Sequence, residues 1–470
     1  MKKIFIALSA VGLILFGSCS EGFLQKDPSL EIDKSAIFSS PARIEASLLG
    51  IYAQLKNSAY YSFMGGKAYV VFDAMGDDFY NISGNLVTLQ DTYDMSVKAT
   101  DQENITTWQE AYLAINDANV FLTNLDSAKT VAGDMYDQYK AEALFTRGFA
   151  YYYLNMLYGK PYTVNPNALS VPLRLTANTD LTGNNLAQST IKQVFEQILT
   201  DVSPANIANL PDGSATETGT CRATKAAAHM LRMRVYMAMN DWTDAIAEGT
   251  AINGYALVNN ITTLFATPFM SSENIFSFPM ADNNYPNTQE SVYEYYYDGQ
   301  TMILNDSIGF GVMSKVGYNN PADVRVSGLT STSGTVSILT KVNSSTDWIP
   351  VYRYAETLLN LAECYVSKTT PNLDSARIYL KQVRRRSLVD STDTNFSNAK
   401  IDTLSAASLK IAIYNERRLE FIGESIRGLD IHRRGENYIK PDMDPVTPSD
   451  GGYIWPIPTS ETSINKLIVQ

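Results

Sequence analysis

Three stretches of this 470-residue chain share one spacing of large, small and aromatic residues, and that spacing limits the fold more than any other feature. Residues 141–158 place Leu144, Gly148, Tyr151 and Asn155 on one helical face. Residues 223–251 read as two antiparallel helices hinged at Asn240-Asp241, with Tyr236 before the turn and Trp242, Ala245 and Ile246 after it. Residues 353–386 repeat the arrangement. Leu358, Leu361, Ala362 and Tyr365 lie on a first helix, and Leu373, Ala376, Leu380 and Val383 on a second. Apolar positions three and four apart give each helix one apolar stripe. A small residue beside a large one lets the paired helix approach closely, and each pair then buries its face on the next, as in tetratricopeptide repeats. The units are spread along the chain and not in tandem. The pattern therefore predicts a mostly α fold, a scaffold of tetratricopeptide-like helix pairs with large irregular loop insertions and a few short strands.

Two further helices fit the same period. One is residues 42–56, with Ile44, Leu48, Ile51 and Leu55; the other is residues 108–125, with Trp108, Tyr112, Ile115, Asn119 and Leu122. Residues 57–107 break into loops rich in Gly, Asn and aromatics. Residues 255–345 carry few helical periods and short apolar runs such as 275–279, which predict short strands lying over the helices.

The first residues address the compartment. Lys2 and Lys3 precede an apolar run over residues 4–16, of signal-peptide length and too short to span a bilayer comfortably. The run ends Gly17-Ser18-Cys19, which resembles a bacterial lipobox, although Phe16 is bulkier than the residue usual there. The expected organisation is a lipoprotein signal peptide over residues 1–18, a lipid-proximal spacer over 19–34, an N-terminal helical-repeat region over 35–270 and a C-terminal region over 271–470. Cys19 would carry the acyl chains, palmitate among them. Several chains on one cysteine anchor stably, because each buried methylene contributes roughly 0.8 kcal/mol. Cys221 and Cys364, far apart and among apolar neighbours, read as two buried free thiols.

Composition excludes several function classes. Removing residues 1–18 leaves 35 Lys and Arg against 49 Asp and Glu, a net charge of about −14, which phosphate backbones would repel. With only His229 and His432, a multi-His metal site or a His general base has little to draw on. No phosphate-cradling glycine loop, zinc spacing or nucleophile elbow appears, so no cofactor, metal or nucleic-acid partner is expected. Tyr is abundant at 29 copies, suited either to helix interfaces or to stacking on neutral polar ligands.

The chain also carries an ordered series of motifs. Near the end stand Asn415-Glu416-Arg417-Arg418-Leu419-Glu420-Phe421, then Glu424, Arg427, Asp430 and Arg433-Arg434-Gly435. Tyr453-Ile454-Trp455-Pro456-Ile457-Pro458 with Glu461 and Asn465 closes the series. Upstream lie Ala141-Glu142-Ala143-Leu144, Arg147, Tyr151-Tyr152 and Leu157-Tyr158-Gly159, with Trp108, Asn119, Phe23-Leu24 and Asp27-Pro28 before them. Together these resemble the SusD/RagB family of Bacteroidetes outer-membrane lipoproteins across nearly the whole mature chain. Gly428 departs from the pattern where an aromatic commonly follows the Arg, as does Lys466 where Pro usually follows the Asn. The resemblance implies a lipid-anchored, surface-facing lid on a TonB-dependent outer-membrane transporter. It would capture oligosaccharides, or peptides in the RagB branch, and would not be an enzyme. A lipid-anchored polysaccharide hydrolase is the rival reading.

Candidate residues follow from chemistry. Glu416, Glu420 and Glu424 sit four apart beside Arg417 and Arg418, a spacing that can lace a helix and pin it to neighbours. Arg384-Arg385-Arg386 end a predicted helix, where cations suit the negative end of the dipole. Asp77-Asp78 is the most enzyme-like carboxylate pair, but adjacent residues do not share a face, so ordering of a loop is the favoured role over catalysis or ligand contact. Asp442, Asp444 and Asp450 fail the EF-hand spacing. Aromatics in the irregular segments are the candidate ligand platform: Tyr60, Tyr61, Phe79 and Tyr80 around Asp77 and Asp78, and Tyr293, Tyr295, Tyr296 and Tyr297.

Overall fold

The computed structural model describes residues 37–56, 63–179, 183–287, 289–305, 310–441 and 443–469. Cys19, Tyr60, Tyr61 and Asp442 lie outside the described residues.

The chain is mostly helical. Helix α1 (Pro41–Lys56) buries Ile44, Leu48, Ile51 and Leu55, the four positions its period selects. Helix α2 (Lys67–Met75) follows, then α3 (Gln102–Ser127) and α4 (Tyr136–Tyr158), which pack along each other with α1 alongside. Helix α5 (Ile191–Asp201) starts with a capping box. Thr190 Oγ1 accepts from Gln193 N at 3.2 Å, and Gln193 Oε1 accepts from Thr190 N at 2.9 Å. Its apolar face of Ile191, Val194, Phe195 and Ile198 lies on α4, where Arg147 grips Asp201 with two hydrogen bonds, at 2.9 and 2.5 Å.

Two helix pairs then stack in order. Helices α6 (Lys225–Ala238) and α7 (Trp242–Ala251) reverse at Asn240, whose φ of 58° suits an Asn, and Asp241 caps α7 through Asp244 N at 3.2 Å. Helices α8 (Tyr354–Ser367) and α9 (Leu373–Ser387) reverse before Asn372, which caps α9 through Ser375 N at 3.0 Å. Gly249 on α7 shows what the small positions do. A Cβ there would lie 2.7 Å from Met233 on α6 and 2.9 Å from Leu361 on α8, so its absence seats α7 between them. Helix α10 (Ala406–Glu420) packs on α8, and α11 (Arg427–Arg434) packs on α2.

The strands are short and paired in twos. Strand β1 (Phe79–Asn81) runs antiparallel to β3 (Met302–Leu304), β2 (Asn274–Phe278) to β6 (Ile349–Arg353), and β4 (Thr330–Ser333) to β5 (Val336–Leu339). Every residue of β2 and β6 is buried. Phe276 and Tyr352 place their rings 5.8 and 6.2 Å from Phe149 of α4, so one aromatic core joins the two halves of the chain.

One sequence expectation is corrected here. Residues 57–107 are not all loop, because α2 occupies Lys67–Met75. Every α2 residue after Lys67 is buried, so no polar face marks its period.

Candidate ligand-binding face

The segment that carries the tyrosine cluster folds as one π turn, Glu294–Asp298, closed by Gly299 N donating to Glu294 O at 3.0 Å. The widened turn splits the four tyrosines into two pairs. Tyr293 and Tyr297 lie stacked on the outside, ring centroids 5.8 Å apart and planes 28° from parallel, both partly exposed. Tyr295 and Tyr296 point inward and are fully buried. Tyr295 donates to Gln289 O at 3.1 Å, and Tyr296 packs on Phe79 at 4.9 Å. The Tyr296 hydroxyl donates to Asp73 Oδ2 at 2.7 Å, and that oxygen also accepts from Ser425 N at 2.8 Å. Burial drives the Asp73 carboxyl up to about 7, although both hydrogen bonds oppose it. On the other side, Lys67 reaches Glu290 at 2.7 Å. The outer pair thus stands on a turn fastened to α2 from two sides. π turns inside helical segments occur frequently at functional sites.

The remaining site residues separate. Phe79 is buried, and Tyr80 on the opposite face of β1 meets Tyr93 edge-on at 5.6 Å, partly exposed. Asp77 and Asp78 turn inward. Asp77 accepts from Arg427 Nε at 2.6 Å, and Asp78 from Arg418 Nη2 at 2.6 Å and Val312 N at 2.7 Å. Burial pushes the Asp77 carboxyl up, but Arg427 and Arg418 outweigh it and hold it at about 2. Placing Asp77, Asp78, Phe79, Tyr295 and Tyr296 against a ligand is therefore corrected: each is spent inside the fold, the acids as loop ties and the rings as core. What stays on the surface is Tyr293, Tyr297 and the edge of Tyr80. Sequence reasoning passed over Tyr285, 42% exposed in the same loop, because it stands alone and not in a run.

The charged motif is structural: it pins α10 to its neighbours, one of the two roles its spacing suggested, and does not lace the helix along itself. Among the described residues its ion pairs run between elements and not along α10. Glu416 binds Arg325 and Arg384 at 2.6 and 2.7 Å, and Glu420 binds Arg353 at 3.0 Å and also Arg386. Glu424, past the end of α10, binds Lys341 and Arg353, both at 2.7 Å. Arg384, Arg385 and Arg386 stand in the last turn of α9 as read, and the Arg384 and Arg386 side chains are in addition buried partners of carboxylates. The closing motif is a clasp. Trp455 N donates to Leu157 O at 2.9 Å, and Glu461 takes Arg174 at 2.9 Å and Asn465 Nδ2 at 2.8 Å.

His229 sits on Glu248 at 2.6 Å, and His432 is buried against Gly159 O at 2.8 Å, with its pKa lowered to about 4 by burial. Cys221 and Cys364 are unpaired thiols, and burial pushes the Cys221 thiol up to about 12. Among the described residues no group of three or more His, Cys, Asp or Glu could hold a metal ion, and no helix is long and apolar enough to cross a membrane.

Residues 22–237 match the family model described as starch-binding and associating with the outer membrane, and residues 276–470 match that of the SusD family. A solved SusD superfamily protein from Bacteroides fragilis is 51% identical, with a TM-score of 0.88 over 92% of this chain and 100% of that one. The chain belongs to the SusD/RagB family. SusD-like protein P25 of Formosa agariphila is 25% identical over 261 residues, which span 53% of this chain and 46% of that protein. Surface glycan-binding protein A of Bacteroides uniformis has the same fold at 19% identity, with a TM-score of 0.71 over 91% of this chain and 99% of that one. The tetratricopeptide-like helical scaffold is that of SusD superfamily structures. Members of the family are binding proteins associated with the outer membrane.

Proposed function

We propose that this SusD-family protein captures nutrient oligomers, glycans before peptides, and hands them to a TonB-dependent outer-membrane transporter while tethered by acyl chains on Cys19. The observation that carries the ligand class is the partly exposed Tyr293–Tyr297 stack on a turn braced from within. Flat rings held in advance present a sugar face with little ordering cost on binding. Tyr80 and Tyr285 extend the candidate platform. The description of the matched family as starch-binding, and the name of the B. uniformis structural neighbour, favour glycan over peptide. No turnover is expected, because Asp77 and Asp78 are committed to arginines and neither histidine is a free base.

Calorimetric titration of neutral oligosaccharides tests the reading. Aromatic anchors of this kind cost about 2 kcal/mol or more on truncation. Tyr293→Ala and Tyr297→Ala should therefore each weaken binding roughly thirtyfold with the melting temperature nearly unchanged. Unchanged affinity in both variants would remove the platform from the site. Chromatographic detection of shortened oligosaccharides, lost on changing Asp77 or Asp78, would replace the capture reading by hydrolysis.

A further inference from the structure

Among the described residues the buried ion-pair clusters are balanced, with one exception; Lys56 and Lys440 are buried singly and held by backbone carbonyls. Around Glu416, Glu420 and Glu424, six basic side chains face six carboxylates, with Asp390 at the exposed rim. Arg418 and Arg427 face Asp77 and Asp78, with Glu436 at the rim. The exception lies between α8, α10 and α11. There three guanidiniums, Arg417, Arg433 and Arg434, share two carboxylates, Glu363 and Asp430. Arg433 and Arg434 hold the same Glu363 oxygen at 2.7 and 2.8 Å, and Arg417 holds Asp430 at 2.8 Å. All five side chains are 7% exposed or less. The adjoining Arg234–Glu356 pair, at 2.7 Å, is neutral and leaves the excess of one positive charge in place. His432 is neutral too, and the Tyr414 ring, 3.4 Å from the Arg434 guanidinium, and the Phe421 ring, 5.8 Å from that of Arg417, offset part of the charge.

A net buried charge is costly unless an opposite charge meets it. The place for one is present. Arg234, Arg417 and Arg433, with the carboxylates Glu356 and Asp430 and the Asn360 amide, line a partly open chamber of about 10 Å³, room for a single particle of water or halide size. Arg433 Nη1 is buried and has no hydrogen-bond partner among the described residues. We propose that this chamber binds one monovalent anion of chloride size, held by Arg433 Nη1–H and neutralising the three-to-two cluster. It would fasten α4, α6, α8, α10 and α11 together at one point, away from the ligand face.

Crystals of the full chain grown in sodium bromide test this directly. The expected result is an anomalous bromide peak within hydrogen-bond reach of Arg433 Nη1. In solution, the unfolding midpoint should be higher in sodium chloride than in sodium gluconate at equal ionic strength, by about 3 °C once chloride reaches a hundred times its dissociation constant. Arg433→Gln removes the excess charge, and its midpoint should no longer distinguish the two salts. A water-like peak without anomalous signal, or equal wild-type midpoints in both salts, overturns the proposal whatever the variant does.

Discussion

Replacing Asp73 with Asn isolates the buried bond that braces the tyrosine turn. The Asp73 carboxyl is raised from 3.8 to about 7, burial being the main cause. The folded protein therefore keeps this proton over a pH range in which the unfolded chain has lost it. Native-state proton excess makes stability fall as pH rises, between about 4 and about 7. Each unit is worth 1.36 kcal/mol, so the three-unit shift amounts to about 4 kcal/mol lost across that window. Asn keeps the shape, because one carbonyl oxygen can accept from both Tyr296 and Ser425 as Asp73 Oδ2 does. It does not titrate. Urea unfolding in half-unit steps from pH 4 to 8.5 should give a variant-minus-wild-type stability that climbs by about 4 kcal/mol and levels off above pH 8. Glu103, also raised to about 7 by burial, titrates in both proteins and cancels in the difference. Lys440, lowered to about 7 by burial, has the opposite sign above that pH and cancels likewise. A flat difference would refute the reasoning, since it would mean that the Asp73 carboxylate is charged and well solvated at neutral pH.

Three more outcomes are expected. Tyr151→Ala empties a fully buried ring site on α4 and breaks the hydroxyl bond to Arg174 O, so chemical denaturation should show a loss of about 3–5 kcal/mol with oligosaccharide affinity intact. Gly428→Ala would set a Cβ 2.2 Å from the backbone oxygen of Phe72, which cannot swing aside, and should cost about 3 kcal/mol by thermal melt as α11 is forced off α2. Cys19→Ala should leave the protein in the soluble fraction, where the wild type pellets with outer membrane; an unmodified Cys19 in the wild-type N-terminal peptide by mass spectrometry would sink that expectation.

How far the fold was legible depends on how each helix is buried. Helices covered on one face wrote a period into the chain: α1 shows Ile44, Leu48, Ile51 and Leu55, and α9 shows Ala376, Leu380 and Val383. Helix α2 did not, because Ala68 to Met75 are all buried and a segment covered all round has no polar phase to read. Helix α5 had a signal that went unused, since Thr190 followed by Gln193 before an apolar run is a capping box. Gly428 was noticed only as a departure from a motif. Its reason, the backbone of Phe72 lying where a side chain would start, depends on two segments some 350 residues apart in sequence and has no local signature.

The candidate platform was legible in sequence as an aromatic run and not as an inward and an outward set, and the π turn explains the difference. Residues 293–297 read in sequence as one aromatic patch, and neither helical nor strand period sorts them, because an i→i+5 turn follows neither. Folding divides the run by the path of the backbone: Tyr295 and Tyr296 go to Gln289 and Asp73, Tyr293 and Tyr297 to each other. The same logic decides Asp77-Asp78. Adjacent carboxylates on an extended segment look available until Arg418 and Arg427 arrive from 340 and 350 residues away and bury them. In each case the inward residues are what makes the outward ones useful. A stacked tyrosine pair on a free loop would lose much of its binding energy to ordering, whereas this pair is carried by a turn whose other two rings are already core.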